Sequence, residues 1–155
     1  REGEVFTDAR GAFIETYNKL KYKELGVDVH FVEDDVSVSR KDVLRGIHGN
    51  DETWKLVSCV HGKAYFVAVN CDKESPLFGK WEGFNLDDEN VWKVLVPPKY
   101  GSAYLALTDK VVFQYKQSTY YSPKTQFAYL WNDPTFNIKW PIDNPILSQR
   151  DSGTK

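Results

Sequence analysis

Short runs of alternating apolar and polar residues dominate this chain, and clusters rich in Gly, Pro, Asn and Asp separate them. A period of two sends successive side chains to opposite faces of a strand, so the pattern predicts strands almost throughout. Val5 and Phe6 begin a short strand, Asp8-Ala9-Arg10-Gly11 reads as a turn, and residues 12–17 are strand-like. Asn18 can cap a short helix running through Leu25 and stopped by Gly26. Residues 29–39 then alternate, with Val29, Phe31, Glu33, Asp35, Ser37 and Ser39 on one face and His30, Val32, Asp34, Val36 and Val38 on the other. The first face grows polar towards its end and is expected to leave the core and line something wet.

Further strands are expected at 43–48, 54–60, 64–69, 81–86, 92–96, 104–107, 111–116, 127–131 and 138–140. His61-Gly62-Lys63 reads as the tight turn of a hairpin. The tail, 147–151, is polar and is expected to dock on the body. Roughly ten short strands and a single helix indicate an all-β jelly roll, a sandwich or small barrel, over one domain of residues 1–155.

Composition changes this picture little. A 41% hydrophobic and 15% aromatic content argues for a folded globule with an aromatic-rich interior or cleft. A net charge of −2, with acids and bases interspersed, gives no electrostatic case for nucleic acid or an anionic membrane. No apolar run approaches the roughly 18 residues that a membrane helix needs, and Arg1-Glu2-Gly3-Glu4 is not a signal peptide. Cys59 and Cys71, each in an apolar run, read as buried thiols of a reducing cytosol.

The candidate chemistry centres on Val43-Leu44-Arg45-Gly46-Ile47-His48. Arg45 and His48 are three apart and cannot share one face of a strand unless the chain bends, and Gly46 permits a bend or bulge between them. Two protonatable groups in an apolar strand are costly unless paired or used. Of the other histidines, His61 reads as an exposed turn residue and His30, among valines, as a core or interface histidine. No His-x-His or His-x-x-x-His spacing exists, which disfavours a metal centre. Metal-free chemistry at a histidine usually means proton transfer, and it needs an orienting carboxylate and a second acid. Tyr115, in Phe113-Gln114-Tyr115-Lys116, is a candidate acid, although its pattern alone favours a core tyrosine.

The chain resembles the dTDP-4-dehydrorhamnose 3,5-epimerase family from Phe6 to Asp151. The resemblance is carried by Asp8-Ala9-Arg10-Gly11 with Phe13, Glu15 and Tyr17, by Phe31-Val32-Glu33-Asp34 with Ser37 and Ser39, and by Val43 to His48. Lys55-Leu56-Val57, Phe78-Gly79-Lys80-Trp81, Tyr115-Lys116, Tyr120-Tyr121, Trp131-Asn132-Asp133-Pro134 and Leu147-Ser148 with Asp151 continue it in order. It implies a jelly-roll enzyme that epimerises a nucleotide-linked 4-keto-6-deoxy sugar without a cofactor, in the cytoplasm, for polysaccharide or antibiotic-sugar synthesis. It further implies His48 as base, Asp151 as its orienting carboxylate, Tyr115 as the opposing acid and Lys55 beside the C4 oxygen. Arg10, Glu15, Arg45 and Tyr121 match positions that bind the nucleotide diphosphate. A homodimer exchanging N-terminal strands is implied as well.

The chain also departs from the family. Glu33-Asp34-Asp35 stands where the family has Gln-Asp-Asn, and these carboxylates would repel phosphate yet could accept hydrogen bonds from guanine N–H groups. Ser102 replaces a pocket histidine, and Ile47-His48-Gly49-Asn50 replaces Leu-His-Phe-Gln. These changes suggest a divergent member, with a GDP-linked sugar, including a heptose, among the options. A ketoisomerase of the same fold and a non-catalytic nucleotide-sugar-binding jelly roll are the alternative readings.

Overall fold

The computed structural model describes residues 4–153. Strands β1 (Glu4–Asp8) and β2 (Gly11–Glu15) lead into helix α1 (Lys19–Glu24). Then come β3 (Glu33–Ser39), β4 (Leu44–Asn50), β5 (Lys55–His61), β6 (Lys63–Asn70), β7 (Trp81–Asp87), β8 (Lys93–Val96), β9 (Tyr100–Ala106) and β10 (Val111–Gln117). The chain closes with β11 (Gln126–Ala128) and α2 (Gln149–Ser152). Two antiparallel sheets, ordered β3-β10-β5-β8 and β11-β4-β9-β6-β7, form the jelly roll, and β1-β2 makes a separate two-stranded sheet.

The inner faces of the two sheets meet in an aromatic core. Phe113 of β10 stacks on Phe66 of β6 and on Tyr104 of β9, with centroids 5.8 and 4.2 Å apart. Val57, Cys59, Leu86 and Val96 complete this layer, all nearly fully buried. Removing each large apolar side chain from water contributes roughly 1.5–3 kcal/mol, so this layer sets how the sheets face one another. A second cluster, Ile47, Val69, Cys71, Ala103 and Phe136, covers the far side of the five-stranded sheet. There Phe127 of β11, with Tyr129 and Trp140 of the long segment that follows it, packs against the cluster.

The helix at 18–25 is capped as expected, Asn18 Oδ1 accepting from the Leu20 and Lys21 amides at 3.1 and 3.3 Å. Cys59 and Cys71 are buried and unpaired with each other. Other expectations need correction. The strand expected from Val29 starts only at Glu33, so the alternation around His30 has no ladder to fix it, and His30 is exposed rather than a core residue. The expected strand at 104–107 begins four residues earlier, at Tyr100, and residues 138–140 form none. The latter are held by packing on the outer cluster instead, with Trp140 Nε1 donating to the Trp131 carbonyl at 2.8 Å. The polar tail contains a second helix, α2. Among the described residues no helix is long and apolar enough to cross a membrane.

Candidate active site

Strand β4 carries the irregularity that the glycine allows. Arg45 pairs with Tyr104 and His48 with Ser102, three steps on β4 against two on β9. The extra residue shifts the side-chain phase by one, which turns Arg45 and His48 to the same side. Gly46 lies within it at φ +121°, and a Cβ there would stand 2.5 Å from both the Ser102 carbonyl oxygen and Ala103 Cβ. No larger residue fits without moving β9.

His48 projects into a cavity of about 250 Å³ between the two sheets. Its Nε2 lies 2.6 Å from Asp151 Oδ1. Asp151 sits on α2, whose N-cap Ser148 accepts the Asp151 amide proton through its hydroxyl at 3.1 Å. The Gly46 amide donates to the other carboxylate oxygen at 3.4 Å. Burial alone would raise the Asp151 carboxyl, but the hydrogen bond and charge of His48 and the bonds from Gly46 and Ser148 outweigh it. The carboxyl is therefore held below its ordinary value. With Nε2 committed to Asp151, Nδ1 is the imidazole nitrogen left to exchange a proton.

The facing sheet supplies Lys55 on β5 and Tyr115 on β10, which line the same cavity. Lys55 Nζ stands 5.5 Å from the centre of the Tyr115 ring. Burial lowers the Lys55 ammonium, opposed by the charge of Asp35 and reinforced by Arg150. Burial and then the charges of Asp35 and Glu33 push the Tyr115 phenol up to about 12, so it holds its proton at neutral pH.

His48, Asp151, Lys55, Tyr115, Arg45 and Ser102 thus meet around one cavity. Ser102 sits beside His48 across the β4–β9 ladder and donates weakly to the His48 carbonyl at 3.4 Å. Glu33 and Asp35 lie on the strand neighbouring Tyr115 but are engaged elsewhere. Both accept from the Gln117 amide, at 2.7 and 2.9 Å, and Glu33 also accepts the Tyr121 backbone N–H at 3.0 Å. The Tyr121 side chain is exposed. Arg10 and Glu15 do not line the cavity of their own chain. Arg10 pairs with Asp8 at the tip of the β1-β2 hairpin, and Glu15 with Lys21 at 2.9 Å.

Sequence reasoning gave no role to Ser148 or Tyr104, which also line the cavity. For Ser148 a signal was present, because a serine three residues before an acid is a capping pattern. Tyr104 carries no such mark, since its hydroxyl finds partners only across the sheets.

A histidine–carboxylate dyad facing a phenol and an amine across a sugar-sized cavity on a jelly roll is a set of groups able to move protons on two sides of one ligand. The comparisons with known proteins narrow this further. The sequence pattern of dTDP-4-dehydrorhamnose 3,5-epimerase matches residues 1–155. The chain is 42% identical to the dTDP-4-dehydrorhamnose 3,5-epimerase of Shigella flexneri over 154 residues, covering 97% of this chain and 85% of the relative. Its fold matches dTDP-6-deoxy-D-glucose-3,5-epimerase of Legionella pneumophila, solved in complex with dTDP-4-keto-L-rhamnose. There the TM-score is 0.92 at 35% identity, over 99% of this chain and 84% of that one. It matches equally a 3'-monoepimerase of Streptomyces bikiniensis in complex with dTDP-quinovose, with TM-score 0.92, 32% identity and coverage of 99% and 80%. The chain belongs to the dTDP-4-dehydrorhamnose 3,5-epimerase family, and its class of chemistry is epimerisation of a nucleotide-linked sugar.

Proposed function

We propose that this chain, acting as one catalytic domain, inverts C3, C5 or both in a dTDP-linked 4-keto-6-deoxy sugar. The observation that carries this reading is the entry of His48 and Tyr115 into one cavity from facing sheets. Inversion requires a proton to leave one face of the ring and another to arrive on the opposite face. The C4 ketone acidifies the neighbouring C–H bonds. His48 Nδ1 takes the proton, and Asp151 stabilises the resulting imidazolium. The electron pair moves onto O4, where the Lys55 ammonium meets the enolate charge. Tyr115 returns a proton to carbon from the other side, and solvent resets both groups.

Arg45 holds the diphosphate through its guanidinium. A homodimer completes the site in this reading. Among the described residues the β1-β2 hairpin has no third strand, and it leaves Phe6 59% and Phe13 71% exposed, so it suits a second copy better than its own body. Arg10 and Glu15 then serve the neighbour's cavity. The setting is cytoplasmic, in keeping with two free thiols.

The test is solvent exchange in D2O. Deuterium is expected at the inverted carbons of dTDP-4-keto-6-deoxyglucose, and NMR of the product tells one centre from two. A GDP-linked equivalent run in parallel reads the base, and exchange only there would replace dTDP by GDP. If neither sugar gains deuterium, the reading is wrong.

A further inference from the structure

A buried polar chain that the proton-transfer chemistry does not use runs along the cavity wall. Tyr104 is 5% exposed, and its ring is fixed against Phe113. Its Oη lies 2.6 Å from Ser37 Oγ and 2.8 Å from Ser39 Oγ. Ser39 Oγ accepts the Arg45 Nε–H at 2.9 Å, and Arg45 Nη2 donates to the Val38 carbonyl at 3.4 Å. Ser37, Arg45 and Tyr104 all line the cavity that contains His48.

Proton counting gives this chain a direction. A guanidinium can only donate, so Ser39 is an acceptor towards Arg45. Ser39 is 4% exposed, and its own proton has Tyr104 Oη as its acceptor among the described residues. Tyr104 therefore accepts from Ser39 and must donate its single proton to Ser37. The Ser37 proton is then left over, on a side chain that borders the cavity. The guanidinium N–H groups not used on Ser39 and Val38 are likewise left on that side.

We infer that Tyr104 is a positioning residue for substrate binding. Its hydroxyl ties Ser37 on one side and, through Ser39, Arg45 on the other, and so presents a hydroxyl and a guanidinium as paired donors to the diphosphate of the nucleotide sugar. Anionic oxygens are the acceptors such a pair fits best, because charge-assisted bonds are roughly twice as strong as neutral ones. The identity of the ligand rests on the proposed nucleotide-sugar reading, whereas the direction of the chain does not.

Wild type, Tyr104→Phe, Ser37→Ala and the double variant test this. The phenylalanine keeps the ring and its stacking and removes one oxygen. Each single variant is expected to raise KM for the sugar that exchanges by about 10- to 100-fold, the effect of one lost hydrogen bond to a charged group. The kcat should move by less than about twofold, since binding lost equally from ground and transition states appears in KM. The double variant should be no worse than the weaker single, because both act through one chain. Unchanged KM in either single, or additive losses in the double, overturns the inference. Should Tyr104→Phe fail to fold, Ser37→Ala alone decides it. If the wild type exchanges no sugar, the epimerase reading fails separately, and calorimetric titration with dTDP and with GDP takes over as the readout. Equal affinity across the variants, or no binding by the wild type, then overturns the role of Tyr104.

Discussion

The cavity wall and the N-terminal hairpin both carry residues expected at the site, yet they are built differently. At the wall, β4, β5, β10 and α2 of one chain bring His48, Lys55, Tyr115 and Asp151 together. At the hairpin, Arg10 lies at the exposed tip of a two-stranded sheet that joins neither large sheet. One chain gathers the groups proposed for proton transfer, whereas in the proposed homodimer the diphosphate end is completed by the other copy. Proton transfer tolerates little positional error, and His48, Lys55 and Tyr115 sit on strands locked by the core. Charge recognition tolerates more, and an arm from elsewhere can supply it.

The most drastic way to break the wall is His48→Ala. Losing a positioned base should cut deuterium exchange by about 10²–10⁴-fold, read by NMR of the sugar in D2O. Folding should hold, because the His48 side chain is 25% exposed and supports no core cluster. Arg10→Ala attacks the other region and should raise KM by about 10-fold with kcat nearly kept, the loss expected for one exposed charge-assisted contact. Mixing the two variants sharpens the comparison. If the hairpin acts across a dimer, a mixed dimer joins an intact His48 cavity to an intact Arg10, and low-KM activity returns. If each hairpin serves its own chain, the mixture behaves as Arg10→Ala alone.

Gly46→Ala tests whether the bend is what holds the wall. A methyl 2.5 Å from a backbone oxygen, at a φ of +121°, should destabilise the fold by at least about 2 kcal/mol. Thermal unfolding should show a melting point several degrees lower, and a methyl at Gly11 in the hairpin, which meets nothing within 4 Å, should cost less. The smallest effect is on acid stability. The Asp151 carboxyl is held below its ordinary value in the fold, so it stabilises fully above the unfolded carboxylate pKa and loses that contribution as pH falls through the lower folded value. Urea titrations below pH 4 should show a steeper loss for wild type than for Asp151→Asn.

Much of this was legible in the chain. Alternation marked most of the strands, the glycine between Arg45 and His48 marked the bulge, and the polar face of β3 was expected to line something wet. Ser37 does line the cavity, while Val36 and Val38 point outwards at 60% and 57% exposure. The misses share a cause. At His30 the alternation is present but β3 starts only at Glu33, while the absent strand at 138–140 and the helix bearing Asp151 lie where local pattern is weak, and in all three long-range packing decides. The tail helix spans only Gln149–Ser152, too short to print a periodicity, and only its Ser148 cap was readable.

Strand class and the bend in β4 follow from alternation and glycine, which are local properties of the sequence, whereas Asp151, Lys55 and the acid role of Tyr115 were implied only by the family resemblance. Only the tertiary structure decided which of those residues share a cavity. His48 and Asp151 are 103 positions apart and meet because α2 folds back onto β4. Tyr104, unremarkable in a strand, became the centre of a buried hydrogen-bond chain for the same reason. Its hydroxyl has to be satisfied once β3 and β9 close over it, and the chain does not state which side chains will be there to do so.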